Sequence, residues 1–411
     1  MTRDASAHTA TGDVRGRAPQ RSDRGASVTV AAVAFVVVTG ETLPVGLIGD
    51  VARGLDATES QVGLTVGWYA LVAALSAVPL TRLTSGLDRR TILVACAVVF
   101  GAGHVVAALA TDLGVLVAGR SVAALAHGLY FAVATPAAVR IARPEAKARA
   151  GGRIAVGGSM ALVLGTPLVT LLGQAAGWRA AMLAVAATTA VLGVVVVRLL
   201  PPLPAVPESR SRSSGGVLAT LRSRALAVVL VVSMVLVAGH FAMFTYVAPY
   251  SAERLSVEGT AFSVLLLVYG ACAVLGSTIA GRLSERHPVR VARVAAATLA
   301  LATAGMWVAA GLGARPVGVA LLVVWGGTFS LLVVCTALAI VRRAPAAQSE
   351  TAFALHGIAF QAGILAGSAI GATSLATGRL SELPLVTAGA GLLVLGLLLR
   401  AGGAFRGGPV G

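Results

Sequence analysis

Glu41 is the residue in this sequence best placed to do chemistry. It is the one acid deep inside a long apolar run, among valines, leucines and threonines. A carboxylate in such surroundings is costly unless it is paired or protonated. It can carry a proton, meet a cationic ligand or hydrogen-bond a neighbouring helix. Arg120 is a basic residue early in another apolar run, a few residues past Asp112. It can pair with an acid inside the fold, or its long stem can let the guanidinium reach the polar boundary. His127 follows Arg120 at i+7, on the same face of a helix. A neutral imidazole there can bind a ligand, relay a proton or make a packing hydrogen bond. His240, Tyr246 and Trp325 are further polar or aromatic groups inside apolar runs, where core packing is the competing reading. His104 and His356 read as packing residues.

The elements that hold these residues follow from composition. The chain has 411 residues, 57% hydrophobic and only 12% charged, with a mean hydropathy of +0.89. Soluble domains carry about 25% charged residues, so this chain lacks the polar surface of one. A membrane span needs about 20 mostly apolar residues. Six such runs cover about 27–49, 60–82, 91–110, 113–138, 151–173 and 178–199. Six more cover about 226–249, 259–281, 289–312, 316–340, 350–375 and 383–400. Residues 1–26 and 401–411 read as polar tails, and 200–225, rich in Pro, Ser and Arg, as a flexible linker.

The net charge of +16 does not point to nucleic acid, because the basic residues sit in short loops between apolar runs. Alternate loops gather Arg82, Arg89, Arg90, Arg140, Arg153, Arg282, Arg286, Arg290, Arg342 and Arg343. The others keep Arg53, Arg179, Arg254, Arg315 and Arg379. By the positive-inside rule, this alternation predicts a multi-pass protein of the cell membrane with both termini cytoplasmic. Cys96, Cys272 and Cys335 all fall in apolar runs, with neither metal spacing nor a disulfide framework. No cofactor or metal is expected.

An internal repeat runs at an offset of 200 residues, matching Arg82 to Arg282, Leu83 to Leu283, Arg90 to Arg290 and Gly157 to Gly357. Both basic loops fall on the same side, so the halves predict parallel repeats, 27–199 and 226–400, related by an axis along the membrane normal. Asp88, Arg89 and Arg90 recur as Glu285, Arg286 and Arg290. These are either positive-inside anchors or ion pairs that break and form as the halves rock.

Four stretches resemble the major facilitator superfamily, in its twelve-helix drug:proton antiporter branch, which includes chloramphenicol-resistance proteins and arabinose-efflux-type permeases. The run Thr39-Gly40-Glu41-Thr42-Leu43-Pro44-Val45-Gly46-Leu47 is similar to that branch's TEF-x-P-x-GLL pattern. Leu83 and Asp88-Arg89-Arg90 resemble the cytoplasmic G-x-L-x-D-R-x-G-R-R motif. Arg120, with Ala126-His127-Gly128, resembles the fourth-helix motif. Gly157, Gly165-Thr166-Pro167 and Gly173 resemble the antiporter motif of exporters. Ser85 and Thr81 depart from the second of these, where the family carries its acid and a glycine, and leave Asp88 as the available acid. Glu285 and Gly281 keep to it.

The resemblance implies an all-α membrane protein of the major facilitator fold, with twelve helices in two parallel six-helix bundles. It implies a monomer moving a small organic molecule, a drug or secondary metabolite, against protons, with sugar or metabolite efflux as the alternative. Helices 1, 4, 7 and 10 would face the cavity, which brings in His240, Tyr246 and Trp325. Pro167 and the glycines of the fifth helix would bend and pack it where it meets the eighth. An integral membrane enzyme is disfavoured, because the sixteen acids are scattered singly and no phosphate loop is present.

Overall fold

A computed structural model describes residues 22–142, 146–205, 220–345 and 348–405. Most of the expected first tail, 206–219 of the expected linker and the end of the last tail lie outside the described residues. Twelve helices among the described residues are long and apolar enough to cross a membrane. In lipid every backbone group must be satisfied within the chain, so apolar runs of this length become helices.

The helices are α1 (Ser22–Gly54), α2 (Glu59–Leu83), α3 (Arg89–Ala108), α4 (Leu113–Ile141), α5 (Lys147–Met160, then Thr166–Ala176) and α6 (Trp178–Leu199). The second half has α7 (Arg224–Phe244), α8 (Gly259–Leu283), α9 (Pro288–Gly311), α10 (Arg315–Arg343), α11 (Ser349–Ala376) and α12 (Leu383–Ala401). α1 starts at Ser22, before the expected boundary. Local signals set the polar ends. Thr58 and Gln61 cap α2 reciprocally, and the Asp88 carboxylate accepts from the Arg90 and Thr91 amides at the start of α3. Asp112 accepts from the Val115 amide at the start of α4. Each cap satisfies amides that have no intrahelical acceptor. Gly177 joins α5 to α6 at φ +90, in the left-handed region that favours glycine.

Packing repeats between the halves. α3 packs on α4 and α6, α2 on α4, and α1 on α4, α5 and α6. Six helices later, α9 packs on α10 and α12, α8 on α10, and α7 on α10, α11 and α12. The bundles meet through α2 with α11 and α5 with α8, which is the same contact made twice. Large apolar side chains such as Leu75, Leu301, Leu312 and Leu393 stay exposed. Such a collar suits lipid and would be a liability in water.

The two ends of the molecule differ. At the end carrying the α1–α2 loop, the Ser60 hydroxyl donates to the Ala372 carbonyl (2.9 Å) and Ser263 to Gln174 Oε1 (3.0 Å), so both inter-bundle seams are joined. At the end carrying the α2–α3 loop, the packing of α5 on α8, made by residues 161–176, falls away over Lys147–Met160. Phe353 and Ile358 are exposed there. A cleft of about 550 Å³ between α1 and α5, lined by Val28, Phe35, Arg149, Arg153 and Gly157, belongs to this open end.

Candidate functional site

A proline inside α1 shapes the first bundle. Pro44 has no N–H, so the Gly40 carbonyl one turn earlier loses its helical donor. Arg120 replaces it. Its Nη1 donates to the Gly40 carbonyl (3.3 Å) and its Nη2 to the Glu41 carbonyl (2.9 Å). Arg120 is 1% exposed, so it does not reach the membrane boundary. The pairing is with backbone, which corrects the expectation of an Arg–carboxylate pair.

The Glu41 side chain is thereby left for other partners. It is 7% exposed, and its Oε2 lies 3.9 Å from His127 Nδ1. Its Oε1 has no hydrogen-bond partner. Tyr69, on α2, completes the group. Its hydroxyl lies 3.1 Å from the same His127 Nδ1, and the Arg120 guanidinium sits 4.8 Å above its ring. Sequence reasoning missed Tyr69, although the repeat marks it, since Tyr69 and Tyr269 lie at the offset of 200.

The matching place in the second bundle is aromatic. His240 lies flat on Phe329, with ring centroids 3.4 Å apart and planes 7° apart, and packs against Phe244 and Trp325. Tyr269 is 5.4 Å from Trp325. His240 Nδ1, Tyr269 Oη and Trp325 Nε1 are buried without hydrogen-bond partners. His104 bonds the Phe100 carbonyl and His356 lies 3.3 Å from the Thr336 hydroxyl.

Tyr246 does not join that cluster, which corrects its expected place in the cavity. The helix breaks at Thr245–Tyr246 (Tyr246 φ −113, ψ 22), turning the ring into the α2–α11 seam. Its hydroxyl donates to the Ser368 carbonyl (3.2 Å) and reaches that of Ser60 (3.4 Å). The ring lies over Gly63 and Gly371, where an added Cβ would collide with it. Gly63→Ala is therefore expected to loosen this closed end at a cost of about 1–3 kcal/mol. A reporter Ala372→Cys should then label roughly tenfold faster than in the parent.

The antiporter-motif glycines are also placed differently from the expectation. Gly157, Gly165 and Gly173 recur every eight residues and face α1, against the Ala31 carbonyl, Thr39 and Leu47, which recur every eight residues too. The contact with α8 comes from other residues, among them Val163, whose backbone meets Gly270, and Gln174, which accepts from Ser263. Pro167 lies just after a π-helical turn, Ala161–Gly165, which widens the helix beside the missing N–H. Gly157→Ala must push α5 off α1 backbone. Gly357→Ala meets open space. Expression-normalised transport should fall severalfold in the first and stay unchanged in the second.

The two basic loops form no ion pair among the described residues. Asp88 caps α3, the Arg89 amide donates to the Leu203 carbonyl, and Arg90 reaches the Val197 carbonyl. Glu285, Arg286 and Arg290 lie at the open end of α8 and α9.

A sequence profile described as the Major Facilitator Superfamily matches residues 30–368. A "probable sugar efflux transporter" of Mannheimia succiniciproducens is 30% identical over 345 residues, covering 84% of this chain and 85% of that relative. Among solved structures, a D-xylose–proton symporter superposes with a TM-score of 0.76 at 14% identity, covering 94% of this chain and 99% of that one. A bacterial homologue of the human lysosomal transporter Spinster, inward-facing and unoccupied, superposes with a TM-score of 0.72 at 12% identity, covering 94% and 97%.

Proposed function

The chain belongs to the major facilitator superfamily, and on that premise we propose that it exports a small organic solute in exchange for protons. It is a multi-pass membrane transporter and not an enzyme. The observation that carries the proton reading is Glu41: a buried carboxylate inside a span, with Oε1 unpartnered and Oε2 3.9 Å from an imidazole nitrogen. Such a group can take a proton from one side and give it to the other as the bundles rock, biasing which end is open. The arginine-rich α2–α3 face is the cytoplasmic one in this reading, which makes the conformation inward-open and puts both termini in the cytoplasm.

A sugar is the solute class we place first. The named relative supports it, as does the His240–Tyr269–Trp325 cluster. Its unpartnered His240 Nδ1, Tyr269 Oη and Trp325 Nε1 are polar atoms that a hydroxylated ring would bond. A drug or secondary metabolite is the second reading, favoured by the Thr39–Leu47 pattern around Glu41. An efflux-deficient host expressing the chain should tolerate a toxic sugar analogue better than the vector control. Protection against amphipathic antibiotics alone would transfer the assignment to the second reading.

A further inference from the structure

We infer that Tyr69 is a positioning residue that competes with Glu41 for one atom, His127 Nδ1, and so ties the imidazole's tautomer to the protonation of Glu41. The inference rests on the proton reading of Glu41 above.

The geometry is a fork. The Tyr69 hydroxyl, from α2, lies 3.1 Å from Nδ1, and Glu41 Oε2, from α1, lies 3.9 Å from the same nitrogen. A ring nitrogen of a neutral imidazole carries either one N–H or one lone pair, so it serves one partner at a time. At 3.9 Å the carboxylate is outside hydrogen-bond range, so in this conformation Tyr69 holds the nitrogen. Its ring is held in turn. It is fully buried, packs edge-on against the imidazole with centroids 5.5 Å apart, and lies under the Arg120 guanidinium. Arg120 is itself fastened to the α1 carbonyls. The Tyr69 hydroxyl is thus aimed by α1 and α4 together. The other titratable groups around the pair are Arg120, on α4, and His104, which packs from α3 against Gly40.

With Glu41 neutral, Nδ1 is bare and accepts the Tyr69 O–H, and the ring proton sits on Nε2. When Glu41 loses its proton, an N–H at Nδ1 aimed at the carboxylate becomes the stronger bond, because it is charge-assisted. The imidazole then carries its proton on Nδ1, and Tyr69 is released. One proton leaves the site and the imidazole stays neutral throughout. Each protonation state of Glu41 thereby has its own bond between helices, α2 to α4 or α1 to α4. A proton carrier needs differential contacts of this kind to shift a conformational equilibrium.

Nitrogen NMR of the full chain in nanodiscs, labelled at histidine and read across a pH series, tests this without a transported solute. The six histidines are resolved by subtracting His127→Gln. In the parent, the His127 Nδ1 resonance should move from the pyridine-type to the pyrrole-type range as pH rises. Tyr69→Phe should keep it pyrrole-type throughout, and Glu41→Gln should keep it pyridine-type throughout. A parent Nδ1 that does not change type with pH, or a Tyr69→Phe profile that coincides with the parent's, overturns the inference. The parent series alone decides the matter should Tyr69→Phe fail to fold. A Glu41→Gln profile that still follows the parent's overturns the proton reading of Glu41 instead, so the two failures are told apart.

Discussion

Glu41→Gln should abolish proton-driven export while leaving the protein folded and inserted. Glutamine keeps the size and the hydrogen-bonding capacity of a protonated glutamate, so the packing around Pro44 and His127 has no reason to change. What it removes is the proton that comes and goes. A carrier whose two states no longer differ in proton affinity has no means of drawing on a pH gradient, because a ligand shifts an equilibrium only by its differential affinity. Protection of an efflux-deficient host should therefore fall to the level of the empty vector. Expression and the thermal unfolding of the detergent-solubilised protein should match the parent. If Glu41 only bonds structurally, the order reverses, with lower stability and residual transport.

Arg120→Lys should be nearly as damaging, for a different reason. The guanidinium spans two carbonyls, of Gly40 and Glu41, one of them exposed by Pro44 and neither well served by a point charge. Losing the fork leaves at least one buried carbonyl unsatisfied, at about 1–3 kcal/mol each. It also takes the planar guanidinium off the face of Tyr69. The expected result is a lower midpoint of thermal unfolding together with loss of transport. Pro44→Ala in the Arg120→Lys background restores a helical donor to the Gly40 carbonyl and should recover part of the stability without recovering transport. Unchanged unfolding in Arg120→Lys would contradict the structural role of the fork.

The helices and the repeat are legible in the sequence because hydropathy, arginine placement and the offset of 200 are properties of the chain read along its length. Glu41 and His127 are legible as candidates on the same footing, since polar groups inside apolar runs are conspicuous. Their partners are not. Arg120 meets backbone carbonyls, and that choice depends on a proline 76 positions away removing one N–H. Tyr69 reads as one more aromatic in a span until α2 and α4 are packed side by side. Tyr246 follows His240 by six residues, which on an unbroken helix would not suggest a seam. The break at Thr245 puts it there. The glycines Gly157, Gly165 and Gly173 show a spacing suited to close helix contact, but spacing alone does not say whether α1 or α8 is the helix they meet.

Proton movement in reconstituted vesicles tests the central claim most directly. The purified chain is sealed in vesicles with a trapped pH dye, and monosaccharides, disaccharides and amphipathic antibiotics are added in turn. At least one compound should drive a proton flux in the parent, and Glu41→Gln should abolish that flux. A compound carried at the same rate and with the same dependence on the pH gradient by both proteins would contradict that claim.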